Sequence, residues 1–155
     1  MNLGELFEVK NLVVGFEPLD KWNAIEALIQ HLVDTGSILE SLADDALDAV
    51  QRRERSMSTG MEKGVAIPHA ALPELDQVVA ILGVVSGNEG VPFESMDGAP
   101  AQLIVVLLIP KAKKLLHIRT LADVAKILGN EQVRQEVLEA QDAQTVHRLL
   151  AAASA

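Results

Sequence analysis

Cysteine is absent from this 155-residue chain, and so is tyrosine. The first absence removes disulfides, thiolate catalysis and cysteine-based zinc sites together. Aromatic content is only 3%, so a core must rest on Leu, Val, Ile and Ala. Base-stacking platforms are not expected for the same reason. Positive charge is also scarce: 13 Lys and Arg against 22 Asp and Glu leave a net charge of −9. That balance opposes a groove tracking nucleic-acid phosphates. A membrane span needs ~20 apolar residues, and the longest uniform run, Leu103 to Ile109, falls far below that. The start, Met1 to Glu5, lacks the basic residues and apolar stretch of a secretory leader. The expectation is a soluble, cytoplasmic protein that neither inserts into a membrane nor binds nucleic acid.

Hydrophobic residues make up 49% of the chain, which places it among globular sequences. Its length fits one domain over residues 1–155, with a short frayed tail from about Ala151. Asn11 to Phe16 reads as a strand. A helix follows, with Asp20 as N-cap, Gly36 as stop, and Trp22, Ile25, Ile29, Leu32 and Val33 at the helical period. A second helix, Ser41 to Arg53, turns Leu42, Ala43, Ala46, Leu47 and Val50 inward. Val78 to Val85 is a strand, Gly87 to Gly90 a turn, and Phe93 marks a brief strand. Leu103 to Ile109 does not alternate, which suits a strand covered on both faces. Helices are expected over Leu115 to Leu128, Glu131 to Ala140 and Asp142 to Leu150. The pattern predicts an α/β sandwich, a mixed central sheet with helices on both faces. Periodicity alone does not exclude the alternative, an α+β layout with helices on one face.

The most informative stretch is Gly64-Val65-Ala66-Ile67-Pro68-His69. Val65 and Ile67 favour a strand, and Pro68 fixes its own φ while holding Ile67 extended. His69 is thereby expected where a buried strand ends, on stiff backbone at the surface. Imidazole is nucleophilic near neutrality because its ordinary pKa is ~6.5. Upstream lie Arg53-Glu54 and Ser58-Thr59-Gly60; downstream come Asp97-Gly98-Ala99-Pro100, the run Leu103 to Pro110, and His117-Ile118. This order of motifs closely resembles the IIA proteins of the sugar phosphotransferase system, in the mannitol–fructose class that includes a nitrogen-regulatory branch. The resemblance runs from about Leu6 to Leu150. Ala70 departs from it where glycine is common, and Lys111-Ala112-Lys113-Lys114 replaces a more acidic or polar loop.

Helical phase sorts the remaining histidines and arginines. His31 and His147 lie off the apolar stripes of their helices and are expected to be solvated. His117 shares the inward face with Leu121, Val124 and Leu128 in the first turn of its helix. It is either a half-buried histidine bonded to a carbonyl or a partner of His69. Arg53 extends the stripe of Ala46 and Val50, whereas Arg52 and Arg55 point away. A cation there needs an anion: a carboxylate such as Glu54 or Asp97, or a transient phosphate.

The resemblance implies a phosphotransferase with a phosphohistidine intermediate. His69 would accept the phosphoryl group, His117 orient it, Arg53 compensate its charge, and the Thr59 hydroxyl contact a phosphate oxygen. The donor would be the HPr-type phosphocarrier protein and the acceptor a IIB cysteine of a sugar permease on a separate chain. This cysteine-free chain cannot itself be IIB. The alternative is a regulatory module whose phosphorylation state controls binding to target proteins. No Walker-type loop or H-E-x-x-H motif is present, so neither ATP, a metal nor another cofactor is expected. A small-molecule binding domain without phosphorylation is disfavoured by the joint selection of His69 and Arg53.

Overall fold

The computed structural model describes residues 2–154. The chain opens with a short helix α1 (Leu3–Leu6), then β1 (Leu12–Phe16), α2 (Lys21–Asp34) and α3 (Ala43–Ser56). Two short strands, β2 (Val65–Ala66) and β3 (His69–Leu72), precede β4 (Val79–Val85) and β5 (Leu103–Pro110). Helices α4 (Lys114–Leu128), α5 (Glu131–Glu139) and α6 (Ala143–Ala153) complete it. No helix among the described residues is long and apolar enough to cross a membrane.

The sheet runs β1-β4-β5-β2, with β3 also paired to β5. β4 and β5 are antiparallel, and the other pairings are parallel. Side chains of a strand alternate between faces, so a strand buried on both sides serves two cores. β5 does this: Ile104, Val106 and Leu108 join Ile25, Leu28, Ala46 and Val50 under α2 and α3. Leu103, Val105, Leu107 and Ile109 join Leu3, Phe7, Val124, Val137 and Leu150 under the other helices. All eight residues of β5 are buried, which is why its sequence shows no alternation. The expected sandwich with helices on both faces is the observed architecture, and the one-faced layout is excluded.

Local chemistry sets the helix ends. The Asp20 carboxylate accepts from the Asn23 N–H at 2.8 Å, and α2 gives way to Gly36 at φ +72°. Four expectations change. Phe93 is buried, but 91–101 is held by one bridge, Val91 to Ala101, and not by a strand. The tail is not frayed: α6 reaches Ala153, and the Ser154 hydroxyl accepts from the Leu3 N–H at 2.8 Å, while Ala155 lies outside the described residues. His31 and His147 are half-buried staples, each with Nε2 2.7 Å from a backbone oxygen, of Lys10 and Gly4 respectively.

Candidate functional site

His69 opens β3; it does not close the strand before it. β2 and β3 lie one after the other along β5, Val65 opposite Leu103 and His69 opposite Leu107, with Ile67 and Pro68 between them. Proline cannot donate to a ladder, yet here it need only accept: the Leu107 N–H bonds the Pro68 oxygen at 3.0 Å. The Ile67 N–H turns away to the Thr59 oxygen at 3.1 Å. This break frees the Ile67 carbonyl to meet His69 Nδ1 at 2.7 Å. A carbonyl only accepts, so Nδ1 carries the proton and Nε2 holds the unshared pair.

The ring of His117, in the first turn of α4, meets the ring of His69 edge-on, with centroids 5.5 Å apart and planes at 76°. Arg53 reaches the same place from the last turn of α3, where its Nη1 donates to the Met57 oxygen at 2.7 Å. His69, His117 and Arg53 line one shallow depression of about 460 Å³ with Arg52, Ser56 and Ala70. Arg52 therefore does not point away, although its guanidinium is held by Asp48 at 2.5 Å. Burial pushes the His69 pKa below its ordinary 6.5, and Arg53 and His117 push the same way. The Ile67 carbonyl, and more weakly the Glu54 carboxylate, oppose them. The neutral form of His69 is thus more favoured than that of an ordinary histidine at the same pH.

Neither carboxylate weighed as a partner for Arg53 serves it. Asp97 accepts the Lys63 N–H at 2.8 Å. Glu54 points inward, its side chain fully buried, and pairs with Lys21 Nζ at 3.3 Å. It also accepts the Thr59 N–H at 2.9 Å, the Thr59 hydroxyl at 2.5 Å and the Ser58 hydroxyl at 2.9 Å. Arg53 and Glu54 thus divide their work, one facing the depression and the other the interior.

Thr59 fares differently from the expectation. It is buried, its single hydroxyl proton is committed to Glu54, and it does not line the depression. The hydroxyl on that surface is Ser56, three residues after Arg53 on the same helix face. Its spacing of three from Arg53 is the sequence signal that puts it on this face. Glu54 and Lys21 were missed as a buried hub because helical phase says nothing about contacts between elements.

Comparison with known proteins decides the family. Residues 5–153 match the model for the phosphoenolpyruvate-dependent sugar phosphotransferase system, EIIA 2. The chain belongs to that EIIA family. A fructose-specific EIIA component from Haloferax volcanii is 36% identical over 134 residues, covering 86% of this chain and 84% of the relative. A nitrogen regulatory protein from Bradyrhizobium diazoefficiens is 30% identical over 135 residues, covering 86% and 87%. The crystal structure of nitrogen regulatory protein IIA-Ntr from Neisseria meningitidis superposes with a TM-score of 0.83 at 25% identity, over 96% of this EIIA chain and 98% of that one. Both branches of the family are thus represented among its relatives.

Proposed function

We propose that this EIIA chain is a phosphocarrier that receives a phosphoryl group on His69 Nε2 from an HPr-type protein. It then passes the group to the cysteine of a separate IIB component. The observation that carries this reading is the bond from Nδ1 to the Ile67 oxygen, 2.7 Å long. It leaves Nε2 with the unshared pair, beside Arg53 and His117.

In the transfer, the Nε2 pair of neutral His69 forms a bond to phosphorus while the donor's N–P bond breaks, its electron pair returning to the donor imidazole. The His69 Nδ1 proton does not move. The phosphorylated ring therefore carries positive charge, which keeps it a good leaving group. Next, a IIB thiolate forms the S–P bond and the His69 pair returns to Nε2. Such transfers pass through a loose transition state and ask mainly for alignment and charge compensation. Arg53 and the His117 ring supply the compensation, and Ser56 replaces Thr59 as the hydroxyl within reach.

Incubation with enzyme I, HPr and phosphoenolpyruvate should add one acid-labile phosphate, absent from His69→Ala. Full labelling of that variant would remove His69 from the reaction. A second reading shares the same chemistry: a regulatory module whose phosphorylation controls target proteins. The nitrogen regulatory relative, matching 86% of the chain, favours it. Transfer of label onward to a IIB cysteine supports the carrier reading; label that stays on His69 with every IIB supplied supports regulation.

A further inference from the structure

We infer that Thr120 is a positioning residue for the phosphoryl transfer. Its buried hydroxyl donates to the inward ring nitrogen of His117 and so turns the other, protonated nitrogen toward the phosphoryl group on His69. This rests on the phosphocarrier reading and adds a residue to it. Thr120 lies in the second turn of α4 and is fully buried. Among the described residues, its Oγ1 is the one buried side-chain polar atom without a hydrogen-bond partner. An unpaired buried hydroxyl destabilises a fold, whereas an apolar group of the same shape does not. Packing alone would therefore be served better by valine at this position.

The group within its reach is His117. Residues three apart on a helix are neighbours on one face, and side chains lean toward the helix N-terminus. The Thr120 hydroxyl thus leans toward the turn that carries His117. The same inward line continues through Val124 and Leu128, which pack with Ile67 and Leu107 on one face of the sheet. His69 stands opposite Leu107 and two residues beyond Ile67, so its ring rises on that face as well. The His117 ring meets it edge-on, yet among the described residues neither His117 ring nitrogen has a hydrogen bond. An unused donor and two open ring nitrogens therefore lie one helical turn apart. In a neutral imidazole, the partner of one nitrogen sets the role of the other. At His69 the partner is the Ile67 carbonyl, which takes the Nδ1 proton and leaves Nε2 as the nucleophile. His117 needs the opposite arrangement. An ionised phosphoryl oxygen only accepts, so the outward nitrogen must carry the proton and the inward one must accept. A carbonyl beneath His117 would select the wrong tautomer; a hydroxyl donor selects the right one.

The test compares Thr120→Val, which keeps the shape and removes the hydroxyl, with Thr120→Ser, which keeps the hydroxyl. Thr120→Val should resist urea at least as well as wild type. It should nevertheless take phosphate from the HPr-type carrier about fivefold to tenfold more slowly, the effect of one hydrogen bond. Thr120→Ser should transfer at the wild-type rate. Nitrogen-detected spectra of the phosphorylated chain should show one His117 tautomer in wild type and Thr120→Ser, and a mixture in Thr120→Val. In a His117→Ala background, Thr120→Val should slow transfer no further, because Thr120 acts through that ring. If Thr120→Val folds poorly, Thr120→Ser against Thr120→Ala makes the same comparison, since both lack the methyl and differ in the hydroxyl. A Thr120→Val chain with the wild-type rate and a single His117 tautomer overturns the inference. So does lost stability with unchanged transfer, which would assign the hydroxyl to the helix, and so does further slowing in the His117→Ala background. Absence of label from wild type sinks the phosphocarrier reading and this inference with it. Label that ignores Thr120 sinks the inference alone.

Discussion

Replacing Glu54 by Gln tests whether the buried carboxylate holds His69 in place. Glu54 gathers Lys21 Nζ, the Ser58 hydroxyl, and the N–H and O–H of Thr59, with its side chain fully buried. Thr59 then holds the Ile67 N–H through its own oxygen at 3.1 Å, and the Ile67 oxygen holds His69 Nδ1 at 2.7 Å. Glutamine keeps the shape but loses the charge and turns an NH₂ toward donors. Hydrogen bonds to a charged group contribute about 1.5–3 kcal/mol each, and breaking a buried ion pair costs about 3–5 kcal/mol. Two circumstances reduce the loss: one amide oxygen still accepts, and Lys21 keeps Glu94 at 2.9 Å. The expected destabilisation is about 2–3 kcal/mol, or roughly 4–12 °C in Tm for a chain of this size. Urea unfolding measures it. Displacing a reacting group by ~1 Å costs about 100-fold in rate, so even a partial loosening of this relay should slow phosphorylation about tenfold. The His69 ring-nitrogen shifts should move with it. A variant within 0.5 kcal/mol of wild type refutes the hub. A destabilised variant with wild-type rate and unshifted His69 signals refutes the relay alone.

Three further outcomes follow from the geometry. Nitrogen-detected spectra of neutral His69 should show the proton on Nδ1, with a titration midpoint below 6.5 that rises in Arg53→Gln, since Arg53 pushes it down. Because the folded value is the lower one, the unfolded chain binds more protons between the two values; stability should fall as pH drops from 6.5 through the folded pKa, and His69→Ala should flatten that part of the curve. Gly60→Ala should cost about 1–3 kcal/mol in urea unfolding, because its Cβ would sit 2.5 Å from the Glu94 backbone oxygen, which cannot swing aside; a neutral effect would mean that segment yields. Phosphorylation should shift NMR signals around His69, Arg53, Ser56 and His117 only, and movement extending to α2 and α6 would indicate a global change.

The layers of the fold were legible because they depend on periodicity within single elements. Asp20, the apolar stripe of α3 and the unbroken run of β5 each carry their signal in adjacent residues. What failed depended on neighbours from elsewhere. His31 and His147 lie off their own helices' stripes, yet Lys10 and Gly4 bring backbone oxygens to them. Phe93 is buried as its character requires, but a single bridge does not make a strand. Thr59 was marked by its motif, and only the fold shows that Glu54, on the preceding helix, takes its proton.

Pro68 shows why the site itself was half visible. The sequence places a strand end at His69 because Pro68 fixes its own φ and holds Ile67 extended. The Pro68 oxygen faces β5, so the missing N–H costs the ladder one hydrogen bond without ending the pairing. The sheet resumes at His69 because Pro68 still accepts from Leu107. The stiff backbone inferred for His69 is therefore real but has a different source. It comes from β5 on one side and from Thr59, through Ile67, on the other. His117 was easier to place. Register puts His69 opposite Leu107, and β5 ends at Pro110. Only residues 111–113 then separate β5 from α4. So short a connection leaves the first turn of α4 near that end of the sheet, and an inward residue there has little choice but to face His69. The pairing of the two rings is thus a consequence of loop length and helical phase.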